Sequence, residues 1–540
     1  MSFNWDNPYP SYRMPLFARN AVATSHPLAA QAGLRMLLAG GNAVDAAIAA
    51  AAMLPVVEPT GNGLGSDAFA IIWDGEKLHG LNASGKSPKA WTFEYFKNRH
   101  GTDANGHAII PRWGWDTVTV PGAVSAWDEM HKKFGRLPFA DILAPAIEIA
   151  ERGFIVPHVI ADKWASGAKT LQTYPGYAQV FMPNGRTPKV GERFTFAAAA
   201  KTLRILAKEG VRAYYDGEIA EAIVRWAKET GGSMTAGDLC NFAPQWVDLL
   251  SMEYRGYEMH QIPPNGQGIA ALIALGILKY FDLPSLDVDS AESYHLQIEA
   301  MKLGFADTRR YVADPRHMRV NPQHMLNVDY LVGRAKCIDP KKAITHKNGA
   351  PASGGTVYLT AADETGMMVS FIQSNFKGFG SGVVVPEYGI ALQNRGMGFS
   401  GDPLSANVVE PEKQPYHTII PGFLTKGGKP QMSFGVMGGD LQPQGHLQTC
   451  LRMIDHKQQP QAACDAPRWI VNADQSVTVE GSMNPKIIAK LESYGHKITV
   501  DHNSYGIFGS GQFIWRLSDD MADGYVVASD PRRPSLGVGF

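Results

Sequence analysis

Residues 341–374 read KKAITHKNGAPASGGTVYLTAADETGMMVSFIQS, and this stretch decides the fold. Its first part, residues 341–355, is polar, lacks apolar periodicity and is rich in Gly, Ala and Ser, which predicts an exposed, cleavable linker. Two strand-like runs follow, at residues 357–362 and 367–374, and the sequence DETG between them predicts the turn of a hairpin. Thr356 therefore stands at the head of a strand, directly after the linker.

A threonine at this position has the local setting of an N-terminal nucleophile. Its hydroxyl is weak unless a base lies beside it, and a free α-amino group, with a pKa of about 7.7–8.0, can be that base. In this scheme Thr356 attacks the Gly355 carbonyl, the resulting ester is hydrolysed, and the new amine activates its own side chain. Glycine before the cut gives the peptide the required freedom. The same Gly-Gly-Thr also fits an ordinary turn, so the spacing alone leaves catalysis open.

The composition excludes several classes of protein. The chain has 540 residues, of which 45% are hydrophobic and 19% charged, below the average charged share of about 25%. A large core is expected and disorder is excluded as the main state. The formal net charge of −1 favours neither nucleic acid nor an anionic membrane as a partner. Four scattered cysteines and a start without a signal-peptide pattern predict a cytoplasmic protein, with no metal site and no cofactor.

The rest of the chain alternates helical and strand-like segments. Apolar periodicity and capping signals predict helices at residues 27–39, 43–54, 123–134, 197–209, 217–230 and 269–279, and strands at 68–73 and 117–120. Residues 80–87, GLNASGKS, match a phosphate-binding loop, but Pro88 follows where the helix should continue, so we interpret them as a strand-to-loop turn. The sequence contains no GxSxG, HExxH or EF-hand pattern. His417, in a segment interpreted as a polar turn, is either a site residue or a structural histidine.

Taken together, the motifs of the chain resemble those of the γ-glutamyltransferase (glutathione hydrolase) family of N-terminal-nucleophile enzymes, nearly from end to end. They are AVATSHP at 21–27, GGNAVDAA at 40–47, VEP at 57–59, VPG at 120–122, RGF at 152–154, YRGY at 254–257, GFGSG at 378–382 and GG at 438–439.

The resemblance implies an α+β fold, the four-layer αββα sandwich, built as one interleaved unit. It implies a large subunit at residues 1–355 and a small subunit at 356–540, with Thr356 as both the self-cleaving and the catalytic residue. Ser374 matches a family threonine and would orient the Thr356 hydroxyl. Gly438 and Gly439 match the pair whose N–H groups form the oxyanion hole. The resemblance thus identifies an amide-cleaving enzyme made from one precursor.

The pocket departs from the family pattern. The arginine that grips the substrate α-carboxylate falls on Ser84, and the paired serines that hold the same group fall on His417 and Thr418. The acceptors for the α-ammonium fall on Phe376, Arg395 and Gly398. Because Arg395 repels an ammonium and attracts a carboxylate, we expect a small acidic amide, resembling oxamate, as the substrate.

Two alternatives remain at this point. One is a true γ-glutamyltransferase or glutathione hydrolase; the other is a processed but catalytically idle relative that serves as a binding protein. Some family members hydrolyse oxamate and others are cephalosporin acylases, so the resemblance does not fix the acyl group. Hydrolysis is expected rather than transpeptidation, because the sequence gives no sign of an acceptor site. The sequence leaves open whether the two-chain unit forms a higher homo-oligomer.

Overall fold

The computed structural model describes residues 3–11, 13–346 and 357–540, with the backbone but not the side chain of Val357. Its strands are β1 Leu16–Ala18, β2 Ala21–Thr24, β3 Asp67–Trp73, β4 Leu78–Ala83, β5 Phe154–Ile155, β6 Arg193–Phe194, β7 Gln245–Val247, β8 Leu250–Tyr254, β9 Tyr257–Gln261, β10 Val357–Ala362, β11 Met368–Ser374, β12 Val384–Val385, β13 Ile390–Ala391, β14 Gly422–Lys426, β15 Lys429–Met437, β16 Trp469–Val471, β17 Val477–Glu480, β18 Ile498–Asp501, β19 Ser510–Arg516, β20 Tyr525–Ser529 and β21 Leu536–Gly539.

The helices cover both sheets and the rim of the molecule. They are α1 Pro27–Leu38, α2 Ala43–Val57, α3 Phe93–His100, α4 Ala123–Phe134, α5 Phe139–Arg152, α6 His158–Leu171, α7 Tyr177–Phe181, α8 Ala197–Glu209, α9 Arg212–Asp216, α10 Glu218–Thr230, α11 Ala236–Cys240, α12 Ile269–Leu278, α13 Ala291–Tyr311, α14 Pro322–Met325, α15 Val328–Ala335, α16 Leu441–Ile454, α17 Pro460–Asp465 and α18 Pro485–Ser493. Among the described residues, none of these helices is both long and apolar enough to cross a bilayer.

Two antiparallel seven-stranded sheets form the centre of the fold. One has the order β21-β2-β10-β11-β3-β4-β7 and the other the order β1-β20-β19-β15-β14-β9-β8. Strands β10 and β11 pack against β15 of the second sheet, while α2 covers the outer face of the first and α12 and α16 cover the second. This arrangement confirms the predicted four-layer αββα sandwich.

The two sheets approach closely where β10 faces β15. The Thr360 and Ser433 hydroxyls lie 2.6 Å apart across this interface. Gly435 is required there, because a Cβ at this position would lie 2.5 Å from the ring of Tyr358. Strand β10, which directly follows Thr356 in the sequence, is therefore fixed from both sides within the core.

Helix α2 shows how the sequence builds the outer layer. Asn42 accepts from the backbone N–H groups of Val44 and Asp45, and the Asp45 carboxylate accepts from the N–H of Asn42, which together form a capping box. Alanine fills most of the helix, and every residue of it is buried. The helix runs past Pro55 to Val57, three residues beyond the predicted end.

Several sequence predictions are confirmed and others are wrong. The hairpin is confirmed, with Val357 paired to Gln373 and Ala362 to Met368. Residues 117–120 are not a strand, because the N–H of Val120 donates to the Lys86 carbonyl in a loop rather than to a ladder partner. Residues 80–83 belong to β4, and the next helix begins only at Phe93, so no phosphate loop exists there.

The predicted exposed linker is confirmed at Lys341, Lys342 and Thr345, which are exposed, but it is wrong at His346. Glu299 accepts the backbone N–H of Ile344 at 3.1 Å, and the side chain of His346 is buried and lies 3.1 Å from the same carboxylate. Residues 347–355 of the predicted linker lie outside the described residues. The chain is therefore anchored until at least His346.

Candidate active site

The predicted nucleophile and cleavage position, Thr356 and Gly355, lie outside the described residues. What the structure does describe is the strand that follows them. Val357 opens β10 and lies opposite Gln373, so β10 begins beside the end of β11 at which Ser374 lies. Ser374 is thus placed next to the start of the strand that Thr356 precedes in the sequence.

Ser374 is a fully buried residue that ends β11 and shapes the turn after it. Its Oγ accepts the backbone N–H of Phe376 at 2.7 Å. Phe376 has a φ of +77°, a left-handed conformation that is unfavourable for a bulky side chain. Such strain persists only where neighbouring contacts hold it, and here the Ser374 bond and the buried ring of Phe376 do so.

A buried ion pair lies directly behind this turn. The Arg395 guanidinium donates through Nε to Asp67 Oδ2 at 3.1 Å and through Nη2 to Oδ1 at 3.4 Å. It also lies 4.3 Å from the centre of the Phe376 ring. The side chains of Asp67 and Arg395 are both completely inaccessible to solvent. The guanidinium, which sequence analysis interpreted as a free attractor of anions, is therefore already neutralised in large part by Asp67.

His417 is the third member of this group. Its Nε2 lies 2.5 Å from Asp67 Oδ2, and its Nδ1 accepts the N–H of Ile419 at 3.3 Å, so Nε2 carries the proton. Burial lowers the pKa of His417 to about 4, with Arg395 acting in the same direction and Asp67 opposing them. The ring is therefore neutral at physiological pH, and the interpretation of this segment as a polar turn is wrong.

The charge of Asp67 is stabilised by its two partners. Burial alone would raise the pKa of this carboxyl, but the ion pair with Arg395 and the bond with His417 outweigh burial and lower it. Both carboxylate oxygens are occupied by these contacts. Asp67 is consequently an ionised carboxylate whose oxygens bind Arg395 and His417 and are not available to a substrate.

Thr418 connects this group to the glycine pair. Its Oγ1 accepts from Arg395 Nη1 at 2.9 Å, and its carbonyl accepts from Gln267 Nε2 at 2.6 Å. The same Gln267 amide donates to the Gly439 carbonyl at 2.9 Å. One glutamine side chain thus fixes the distance between the predicted acyl-binding residues and the predicted oxyanion hole.

Gly438 and Gly439 lie between β15 and α16, at the N-terminal end of that helix. Their φ values are +140° and +62°, conformations that favour glycine. A Cβ on Gly438 would meet Leu441 Cδ2 at 3.1 Å and Gly509 Cα at 3.3 Å. The backbone here can approach a ligand closely, which an oxyanion hole requires.

Ser84 lies in a polar network rather than in open space. Its hydroxyl donates to Asn82 Oδ1 at 2.7 Å and accepts from Gln414 Nε2 at 3.0 Å. The residue is 1% exposed. The position that carries the family's arginine is therefore filled here by an internally bonded hydroxyl.

A cavity of about 760 Å³ opens in front of the glycine pair and is lined by Gly438 and Met437. Its charged lining consists of four basic and two acidic residues, namely Arg112, Lys163, Lys377, Arg533, Glu58 and Asp440. Ligand sites typically measure about 300–1,000 Å³. The cavity is large enough for an organic substrate, and its lining carries a surplus of positive charge.

Two of these charged groups lie beside the glycine pair. Asp440 directly follows Gly439, and its Oδ1 is buried without a hydrogen-bond partner among the described residues. Burial raises the pKa of Asp440 to about 6, although Arg309 and Lys377 act to lower it. Burial lowers the pKa of Lys377 to about 8, opposed by Asp440 and reinforced by Arg395 and Arg112. Lys377 forms no ion pair within the part of the chain that the structure describes.

One cluster has the composition of a metal site. The ligand atoms of His295, Glu299 and His496 lie within 4.8 Å of one another. However, the Lys302 ammonium lies 2.7 Å from Glu299, and the two imidazoles bond to each other at 2.8 Å. A lysine already supplies the positive charge here, so the cluster is an internal network that anchors the segment before residue 347.

Sequence reasoning missed Asp67, Gln267, Lys377 and Asp440. Asp67 directly precedes the strand predicted at residues 68–73, and an acid at the head of an otherwise apolar strand was the available signal. Gln267 lies in the Pro-Pro-Asn-Gly turn before α12, where nothing local indicates its partners.

Comparison with known protein families now adds to this geometry. Residues 29–540 match the gamma-glutamyltranspeptidase family. The chain belongs to the gamma-glutamyltranspeptidase family. Its relatives within it include a glutathione hydrolase-like proenzyme of Bacillus subtilis, 36% identical over 97% of this chain and 98% of the relative. An oxamate amidohydrolase proenzyme of Klebsiella pneumoniae is 35% identical over 96% of this chain and 98% of the relative.

Solved structures agree with the sequence relatives. The crystal structure of a cephalosporin acylase from Bacillus halodurans superimposes with a TM-score of 0.93, at 46% identity, covering 100% of this chain and 99% of that one. These gamma-glutamyltranspeptidase relatives cleave amide bonds, and several are made as proenzymes. The predicted family and the predicted class of enzyme are confirmed: this chain is an amide-cleaving enzyme made as a precursor of two subunits.

Proposed function

We propose that this protein is an autoprocessed N-terminal-threonine amidohydrolase whose substrates are amides of small acids. The acyl group would carry an anionic group and lack an α-ammonium, as oxamate does. The cut that frees the nucleophile is proposed between Gly355 and Thr356. Similarity to an oxamate amidohydrolase and to a cephalosporin acylase supports an acyl group other than glutamyl.

The proposed reaction has two stages. The Thr356 hydroxyl attacks the substrate carbonyl, its proton passes to the Thr356 α-amino group, and the carbonyl oxygen becomes an oxyanion facing the N–H groups of Gly438 and Gly439. The α-ammonium then returns the proton to the nitrogen of the leaving amine, and the C–N bond breaks. Water hydrolyses the remaining ester by the same route, which releases the acid and restores Thr356.

One observation carries the choice of substrate. Lys377 lines the cavity beside Gly438 and forms no ion pair with any described residue, whereas both oxygens of Asp67 are occupied by Arg395 and His417. The Lys377 ammonium is thus available to bind a charged group of the substrate, whereas the Asp67 carboxylate is not. A carboxylate on the acyl group would be attracted to Lys377, and an ammonium would be repelled.

The second candidate is a true γ-glutamyl substrate, and Asp440 favours it. Its carboxylate lines the same cavity with one oxygen unpartnered, so it could accept a hydrogen bond from an α-ammonium. The charge of Lys377 lowers the pKa of Asp440, so the Lys377 ammonium and a substrate ammonium would compete for the Asp440 carboxylate. The two candidates therefore differ in the residue that contacts the acyl group: Lys377 for an acid without an ammonium, and Asp440 for a γ-glutamyl group.

Matched anilides distinguish the candidates. Glutaryl-4-nitroanilide and γ-glutamyl-4-nitroanilide differ only in the α-ammonium, and oxamate tests the short acid. We expect a higher kcat/KM for the glutaryl compound, and a higher KM for it in Lys377→Met but not in Lys169→Met, an exposed lysine on α6. A preference for the γ-glutamyl compound would overturn the proposal. A cleaved protein without activity on all three compounds would favour the idle relative.

A further inference from the structure

The charged lining of the cavity divides into two groups. In the first group, the charges of Arg112 and Asp440 both act on the Lys377 ammonium. Lys163, Arg533 and Glu58 form a second group, since the charges of Arg533 and Glu58 both act on the Lys163 ammonium. The proposed mechanism uses only the first group, so the second has no assigned role.

Lys163 is a cation whose charge is not paired. It projects from α6, is partly buried and lines the cavity, yet it forms no hydrogen bond or ion pair with a described residue. Burial and, to a smaller extent, the charge of Arg533 lower its pKa to about 7, while Glu58 acts in the opposite direction. Lys163 therefore adds a cation to the lining of the cavity that no described side chain pairs.

The side chain of Arg533 is fixed in place, but not all of its nitrogen atoms have hydrogen-bond partners. Its guanidinium donates through Nη1 and Nη2 to the carbonyls of Tyr505 and Gly506, which orients the side chain. Its Nε is buried without a partner among the described residues, and the residue is only 6% exposed. Held by these backbone carbonyls, the guanidinium keeps a fixed position in the lining of the cavity, where its positive charge can attract an anion.

The acid of this group does not neutralise both cations. Glu58, the C-cap of α2, accepts from the Ser25 hydroxyl at 2.6 Å and, among the described residues, forms no ion pair with Lys163 or Arg533. Two cations and one acid leave a net positive charge at this part of the cavity. Apolar residues, among them Leu171, Phe379 and Ile470, form the wall next to it.

We propose that Lys163 and Arg533 form a subsite for a carboxylate carried by the amine that leaves when the amide is cleaved. The inference rests on the proposed function for its orientation: the acyl group faces Lys377, so the remaining volume of the cavity receives the leaving amine. An amide that releases ammonia, such as oxamate, would leave this part of the cavity empty. The preferred substrates are then amides between a small acid and an amino acid or another carboxylate-bearing amine.

Two anilides with the same acyl group test the subsite. Glutaryl-3-carboxy-4-nitroanilide and glutaryl-4-nitroanilide differ only in a carboxylate on the leaving amine. We expect kcat/KM to be about tenfold higher for the carboxylated compound, as one charge-assisted contact would give. Lys163→Met should abolish this ratio and Lys163→Arg should retain it. Lys169→Met, on the same helix but outside the cavity, should leave the ratio unchanged.

A binding measurement separates the subsite from the proposed function. Calorimetric titration with 5-amino-2-nitrobenzoate, the released amine, requires no turnover and no particular acyl group. We expect binding that weakens about tenfold in Lys163→Met and not in Lys169→Met, while 4-nitroaniline binds all three proteins equally. If both anilides resist cleavage but this pattern holds, the subsite stands and the acyl assignment fails. If Lys163→Met alters neither the ratio nor the binding, the subsite is wrong.

Discussion

Asp67 and Ser374 lie directly opposite each other in the antiparallel pair of β3 and β11. Residues in such a pair direct their side chains to the same face of the sheet. The proposed orienting hydroxyl and the buried acid that holds Arg395 and His417 are therefore cross-strand neighbours. The register of β3 and β11 therefore places the end of the predicted catalytic strand directly beside the acid that holds two of the predicted acyl-binding residues.

Replacing Asp67 tests the buried ion pair. In Asp67→Asn the Arg395 guanidinium keeps its charge in a fully buried position without a counterion, which costs about 3–5 kcal/mol. We expect this loss in the free energy of unfolding measured with urea. Glu76→Gln, in the exposed turn after β3, should change it by less than about 0.5 kcal/mol.

A double variant checks the cause of that loss. Asp67→Asn with Arg395→Met removes both charges, so it should be more stable than Asp67→Asn alone. If the two substitutions destabilise additively, the pair is not coupled and the interpretation is wrong.

Replacing Thr356 tests the nucleophile. Thr356→Ala removes the hydroxyl that would attack Gly355, so intact mass spectrometry should show one uncut chain of about 58.7 kDa without activity. Thr356→Ser retains a hydroxyl and should be cut slowly. Thr365→Ala, in the turn of the hairpin, should still give two fragments. Cleavage of Thr356→Ala between residues 355 and 356 would contradict the mechanism.

Adding a methyl group to Gly438 tests the oxyanion hole. Alanine is strained at a φ of +140°, and its Cβ would press on Leu441 and Gly509, so the backbone N–H must move. Loss of one such donor lowers kcat by about 10²–10³-fold in hydrolases, and we expect a loss of this order with little change in KM. Gly333→Ala serves as the control, because nothing lies within 4 Å of a Cβ there. Full kcat in Gly438→Ala would exclude the role.

The buried carboxyl of Asp440 should give the stability a measurable pH dependence. Burial raises its pKa from the ordinary 3.8 of an aspartate to about 6 in the folded chain, so the folded state binds more protons than the unfolded state between these pH values. The contribution of Asp440 to stability is therefore complete below pH 3.8 and is lost as the pH rises through 6.

Comparing wild type with Asp440→Asn isolates this contribution from those of the buried histidines. From pH 4.5 to 7.5, the free energy of unfolding of wild type should fall by about 2 kcal/mol relative to that of the variant. Urea titrations at both pH values measure it. Parallel pH profiles for the two proteins would show that the pKa of Asp440 is not raised.

Much of the fold could be predicted because its signals are local. The capping box of α2, the apolar runs of β10 and β11 and the turn between them are all contained in short windows, and the structure has each of them. The strand predicted at residues 117–120 failed for the opposite reason. Its alternation of Val118 and Val120 is genuine, but the segment pairs with no strand among the described residues, and the N–H of Val120 donates to the carbonyl of Lys86 in a loop.

The candidate site could be predicted only where a motif carried it. Gly438 and Gly439 are adjacent in the sequence, and Ser374 ends a strand that local pattern identifies. Asp67, by contrast, meets Arg395 across 328 positions of the chain and His417 across 350. No window of sequence contains such a pair, so the neutralisation of Arg395 emerges only from the folded chain.

The order of strands in the two sheets has a consequence for a cut at Gly355. In the first sheet β10 and β11 lie between β2 and β3, and in the second β14 and β20 lie next to β9 and β1. Each fragment would supply strands whose hydrogen-bond partners belong to the other. Diluting the cut enzyme should therefore not separate the two fragments. Neither fragment, once separated and unfolded, would refold without the other.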